Sequence, residues 1–188
     1  MQKLFKQFEE WLQENYKEGI NDLNSPITDQ EIIELEKGLG FSVAKDLIEI
    51  LKIHNGQKGN ASWLFEGQEF LSSHRILEEW KVWQNLLDSG DFDDNISDEV
   101  DSVIKNNWWN SMWVPFTYDG MGNHYCIDMN PTELGDKEQI ITVWHDTAER
   151  KLLNSSFYLW FESYITKLIA GDFIYSKKYD SIVNKNEV

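Results

Sequence analysis

Trp113-Val114-Pro115-Phe116-Thr117-Tyr118, Asp119-Gly120-Met121-Gly122-Asn123 and Tyr125-Cys126-Ile127-Asp128-Met129 form the stretch on which the fold turns. Two runs of β-formers flank a short loop with two glycines, a pattern that predicts an antiparallel hairpin. Beyond a polar loop over 130–138, the run Ile140-Ile141-Thr142-Val143-Trp144 predicts a neighbouring strand.

Toward the C-terminus, Ser155 or Ser156 is expected to cap a helix bearing Phe157, Trp160, Phe161, Tyr164, Ile165, Leu168 and Ile169, with Gly171 as its stop. From Asp172 the chain reads as polar, and fraying is expected beyond Tyr179. Toward the N-terminus, Leu4, Phe5, Phe8, Trp11 and Leu12 fall on one helical stripe that ends by Gly19 and Asn21. Thr28-Asp29-Gln30-Glu31 is a capping box with Ile27 in the staple position, and Gly40 ends the helix it opens. A third helix is expected over 44–54, closed by Asn55-Gly56. Ser62-Trp63-Leu64-Phe65 reads as β. Ser72 and Ser73 can cap a helix carrying Ile76, Leu77, Trp80, Trp83, Leu86 and Leu87. Residues 88–107 are acidic, with a weak helical pattern in Val100, Val103 and Ile104. Helices, then strands, then a helix predict the α+β class, with one domain over 1–175 and a polar tail over 176–188.

The chain has 188 residues, 33 of them Asp or Glu against 17 Lys or Arg, so its formal charge is −16. Phosphate and anionic lipid repel such a chain, which argues against direct nucleic-acid or membrane binding and in favour of a basic protein partner. The 41% apolar and 14% aromatic content is that of a packed globule and not of a disordered chain. A single cysteine, Cys126, cannot close an internal disulfide, and the N-terminal residues carry no apolar signal core. A cytoplasmic chain is the expectation.

Motifs that would carry chemistry are missing. Asp91-Phe92-Asp93-Asp94-Asn95 begins like a calcium loop, but the sixth and twelfth positions hold Ile96 and Ser102 where Gly and Glu are needed. No two of His54, His74, His124 and His145 stand at metal-motif spacing; His124, His145 and Asp128 could meet only by strand pairing. Cys126 sits between Tyr125 and Ile127 in a strand pattern, which suits a buried thiol. Residues 119–123 lack the following helix and the cation of a phosphate loop, and read as a turn. No cofactor, metal or catalytic residue is assigned.

Nine tryptophans stand out. Trp80, Trp83 and Trp160 lie on helical core stripes. The adjacent Trp108 and Trp109 cannot both point inward from one element covered on a single side, so one of them is a candidate surface aromatic.

The order of motifs resembles the SUKH superfamily (Smi/Knr type), which contains fungal cell-wall glucan synthesis regulators and many bacterial immunity proteins. Thr28 to Glu36, Leu39-Gly40, Asp46-Leu47 and Asn55-Gly56 resemble its opening signature. Trp113-Val114-Pro115-Phe116, Asp119-Gly120, Gly122-Asn123, Cys126-Ile127-Asp128 and Gln139-Ile140-Ile141 resemble its second. The likeness covers about residues 20–175. Val43-Ala44 replaces the common Leu-Pro, Asn123 and Glu138 replace an Asp and a Gly, and residues 85–110 form an insertion.

The resemblance implies a mixed, largely antiparallel sheet with helices packed around it and a non-enzymatic, protein-binding role. The main expectation is an immunity protein neutralising a basic toxin such as a nuclease. The alternative is a regulatory or scaffold protein in cell-wall (glucan) synthesis. Asp119, Asn123 and Asp128, with Trp63 and Trp113, are expected near the recognition face, Gly120 and Gly122 serving the turn.

Overall fold

The computed structural model describes residues 1–93, 95 and 100–187. Met1 precedes α1 (Gln2–Asn15), which breaks at Tyr16 before the short α2 (Lys17–Asn21). The capping box works as read: Thr28 Oγ1 accepts the Glu31 N–H and Glu31 accepts the Thr28 N–H, opening α3 (Asp29–Leu39), with Gly40 left-handed at its end. Then come α4 (Lys45–Leu51), β1 (Glu69–Phe70) and α5 (Ser73–Asp88), the last capped by Ser72. The strands β2 (Trp113–Pro115), β3 (Thr117–Tyr118), β4 (His124–Asp128), β5 (Gln139–Val143) and β6 (Leu152–Asn154) precede α6 (Phe157–Ala170), capped by Ser156 and ended by left-handed Gly171. A hairpin of β7 (Phe173–Ser176) and β8 (Ser181–Asn184) and a 3-10 turn (Lys185–Glu187) close the described chain.

All named strands pair antiparallel, and the main sheet runs β2-β4-β5-β6. The predicted hairpin is real, with Trp113 opposite Asp128 and Pro115 opposite Cys126. Its first run divides at Phe116, so that Thr117 and Tyr118 pair with β1 instead. Period-two alternation sends His124, Cys126 and Asp128 to one face and Tyr125 and Ile127 to the other. The first face meets α5 through Trp83, which stacks on Trp109 at 5.2 Å and meets His124 edge-on at 6.3 Å. The second meets α6, where Trp160 packs on Phe116 at 4.9 Å and Tyr125 at 6.1 Å. Behind α6, Phe5 and Phe8 of α1 pack against Phe161. The sheet is therefore covered by helices on both faces, in the α+β class.

Several local expectations are corrected. The third helix stops at Leu51, and Asn55-Gly56 lies beyond it. The Asn55 amide bonds both Ser73 groups, N–H at 2.8 Å and Oγ at 3.1 Å, while Gly56, at φ 68°, packs against the Leu71–Ser72 backbone. This pair joins helix α4 to the start of α5 and does not close the third helix. Residues 62–65 form no strand: Phe65 bridges Gln68 across a tight turn through Glu66 and Gly67, both with positive φ. Val100 pairs with Arg150 in an isolated parallel bridge and no helix runs through Val103 and Ile104. The polar stretch from Asp172, expected to fray beyond Tyr179, contains the β7–β8 hairpin, with Ile182 fully buried. Trp109 is buried, while Trp108 is half-buried beneath the Arg150 guanidinium at 5.3 Å. Of the rejected calcium loop, Asp94 and Ile96 lie outside the described residues.

Candidate functional site

The loop between β3 and β4 is built by its first residue. Asp119 Oδ1 accepts the backbone N–H of Met121 at 2.8 Å and of Asn123 at 3.0 Å, and Oδ2 accepts the Asn123 side-chain amide at 2.6 Å. Asn123 Oδ1 in turn accepts the His145 N–H at 2.9 Å, tying the loop to the end of β5. A carboxylate that closes its own turn in this way leaves the loop rigid before any partner arrives. Gly120, at φ 82°, does more than permit the turn: a Cβ there would lie 2.7 Å from the Trp63 indole. Trp63 is thus seated on the loop, and Met121, 71% exposed, projects at its tip. Trp63, Asp119, Met121, Asn123 and His145 form one surface feature.

Asp128 and Trp113 are not on it. Both are 0% exposed. Asp128 accepts the Asn130 N–H at 2.9 Å and the Gln139 amide at 3.0 Å, and Gln139 also donates to the Val103 carbonyl at 3.0 Å. The Trp113 Nε1–H lies near the same carboxylate without completing a hydrogen bond. Burial raises the Asp128 pKa, with these hydrogen bonds opposing it. Asp128 holds the 128–139 loop from inside, so a lysine there would bury an ammonium and unfold the region before it tested any contact.

The structure also keeps His124, His145 and Asp128 apart. His124 is buried toward α5, His145 is exposed beside Asn123, and Asp128 is four residues further along β4. Among the described residues no group of three or more His, Cys, Asp or Glu is placed to hold a metal ion. The Cys126 thiol is fully buried, and burial pushes its pKa well up.

Beneath the loop lies a polar cluster that sequence reasoning missed. Arg75 reaches Glu79 at 2.7 Å, Glu78 at 3.1 Å and Glu69 at 3.5 Å, with its guanidinium 5.6 Å from the Tyr118 ring centre. Tyr118 stacks on His124 at 5.3 Å. His124 Nδ1 donates to the Thr117 carbonyl at 2.7 Å, since that oxygen can only accept. Its Nε2 therefore carries the lone pair, buried and unpartnered, with Glu79 Oε2 at 3.9 Å. Burial lowers the His124 pKa to about 4, so this approach is no ion pair at neutral pH. The spacing of Arg75, Glu78 and Glu79 on one helix was the readable signal; the tie to β3 and β4 is tertiary.

Residues 26–163 match the model of the SMI1 / KNR4 family (SUKH-1). Similar proteins include the glucan synthesis regulatory protein of Neurospora crassa, 24% identical over 177 residues, covering 76% of this chain and 33% of that protein. The cell wall biosynthesis/cell cycle regulator smi1 of Schizosaccharomyces pombe is 26% identical over 166 residues, with 81% and 33% covered. The cell wall assembly regulator SMI1 of Saccharomyces cerevisiae is 22% identical over 197 residues, with 86% and 39% covered. The chain spans about a third of the length of these curated relatives.

Proposed function

The chain belongs to the SMI1 / KNR4 family (SUKH-1), and from that premise we propose that it is a non-enzymatic, protein-binding regulatory module acting in cell-wall (glucan) synthesis. The observation that carries this is the alignment of most of the chain with proteins named as glucan synthesis and cell-wall regulators. The β3–β4 loop supports a binding role: a prebuilt turn with an exposed Met121 and a seated Trp63 offers an ordered surface at little entropic cost. Asp119 and Asn123 hold that surface in shape, and Asp128 and Trp113 support the sheet behind it.

A second reading is favoured by one observation, the formal charge of −16. An immunity protein of this charge would meet a basic toxin quickly and release it as salt rises. In both readings the chain works in the cytoplasm; among the described residues no helix is long and apolar enough to cross a membrane.

Affinity capture with the intact chain, from the cells it comes from, separates the readings when run at low and at high salt. Partners belonging to the wall-synthesis machinery, retained at high salt, support regulation. A single basic partner in stoichiometric amount, lost as salt rises, would overturn it in favour of immunity. The substitution Met121→Lys tests the face: retained partners should bind at least about tenfold more weakly, and unchanged capture would remove the loop from the proposal.

A further inference from the structure

A cleft on the α6 side of the sheet, away from the β3–β4 loop, has no assigned role. It has a volume of about 130 Å³ and lies between α6, the end of β6 and the turn at Glu66. Its floor is aromatic: Tyr125 of β4 lies beside Trp160 and Tyr164, whose rings are parallel to within 5°. The rim is polar, with Glu66 on one side, Ser163 and Lys167 on α6, and Asn154 at the end of β6. The Tyr125 hydroxyl is already held by the side chains of Glu66 and Gln68, which fixes its place in the floor. Through Asn154, Ser163 and Lys167 the cleft opens onto a groove of about 480 Å³, which runs between α6 and α1 past Leu159, Ile169 and Leu4.

This lining selects for a chemical class. Glu66 and Lys167 give the rim one charge of each sign, so it favours neither an anion nor a cation; the Lys167 ammonium rests 5.5 Å from the Phe173 ring centre. Carboxylate, ammonium, amide and hydroxyl together supply acceptors, donors and groups that do both, as a ring bearing several hydroxyls requires. Trp160 is 9% and Tyr164 4% exposed, so the floor offers such a ring only a small apolar contact and the hydrogen-bonding rim does the selecting. The cleft's volume of about 130 Å³ is many times the roughly 10–15 Å³ that one water needs on the same measure, so the space is that of a small ring and not of a single solvent site.

We propose that this cleft binds one ring of a neutral oligosaccharide, with the following rings lying in the adjoining α1–α6 groove. The proposal goes beyond the regulatory reading and stands or falls without it, since no protein partner enters the test.

The intact chain, labelled for NMR, is titrated with tetrasaccharides of glucose, α-linked in one series and β-linked in the other. Saturable shift changes centred on Glu66, Asn154, Ser163 and Lys167 are expected for at least one series. Ser163→Arg, at an exposed helical position, fills the cleft mouth and should abolish them while the circular dichroism spectrum stays unchanged. Lys167→Ala should weaken binding by about fivefold, the loss of one hydrogen bond. No saturable change with either series at about 10 mM, far above the affinity of a specific site, would overturn the proposal. So would an undiminished response in Ser163→Arg. A lysine-rich peptide that shifts the same amides more strongly than any saccharide would make the cleft a peptide site and overturn it equally.

Discussion

Gly120 shows how one residue can fix both a backbone turn and the place of a tryptophan. Its φ of 82° lies where a side chain is strained, and Trp63 occupies the space a Cβ would take. Gly120→Ala should cost about 1–3 kcal/mol in unfolding free energy and shift Trp63 fluorescence; a variant of wild-type stability would show that the two are not locked together. His124 sets a pH dependence. Its folded pKa is about 4, against an ordinary value of 6.5, so between those pH values the unfolded chain holds a proton that the folded chain refuses. Stability from this residue therefore rises with pH through that window and is complete above it. The groups facing the ring are Glu79 and Arg75 of α5 and Asp119 of the loop. Glu79 works the other way, because burial raises its carboxyl despite Arg75, which favours the fold as pH falls. Replacing the imidazole by His124→Phe isolates its share. The wild type's advantage over the variant should grow by about 2–3 kcal/mol between pH 4.5 and 7.5 in denaturant titrations. An advantage flat with pH would mean that the imidazole keeps its ordinary affinity for protons in the fold.

At the scale of elements, the β7–β8 hairpin carries the clearest prediction. Ile182 is fully buried and Tyr175 stacks on Tyr16 at 4.0 Å, so the hairpin joins the C-terminal region to the end of α1. Ile182→Ala should lower stability by about 2–5 kcal/mol, and hydrogen exchange should find the 173–176 and 181–184 amides protected. Rapid exchange there, with unchanged stability in the variant, would return the chain beyond Tyr179 to the frayed tail its composition suggests. That expectation failed because four-residue strands carry only two residues of alternation on each face, too few to outweigh Lys177-Lys178-Tyr179-Asp180 between them. β6 was illegible for a related reason: Leu152-Leu153-Asn154 has no β-branched residue and is held by β5 and by Asp101, which accepts the Leu152 N–H at 2.7 Å. Where local chemistry decides, the sequence was readable. The capping box at Thr28, the caps of α5 and α6, and the hairpin around 119–123 all stand where their residues place them. The candidate site was readable in part. Asp119 and Asn123 mark a turn in any context, but nothing local to Asp128 or Trp113 says that they face inward under α5, because that is settled by the sheet's pairing and its cover.

For the whole molecule the question is whether a charge of −16 strains the fold or is balanced locally. Several ion pairs are exposed and within one helix, such as Lys6–Glu10 at 3.8 Å and Lys45–Glu49 at 3.6 Å; pairs of this kind contribute well under about 1 kcal/mol each. The Arg75 cluster is the more enclosed exception, and even there three carboxylates surround one guanidinium. Unpaired negative charge therefore exceeds what local pairing relieves, and the compact state, which brings carboxylates closer than the unfolded chain does, bears the larger repulsion. Salt shortens the reach of that repulsion to about 10 Å at 0.1 M. Raising sodium chloride from about 10 mM to about 150 mM should accordingly raise the melting temperature at pH 7, by about 2–4 °C for each kcal/mol of repulsion relieved in a chain of this size. Specific pairs respond in the opposite direction, since screening weakens attraction as well. A melting temperature that falls with salt would mean that the Arg75 cluster and its like outweigh the net charge. The acidity would then be a property of the pairs that hold the fold, and the excess charge would no longer argue for a basic partner.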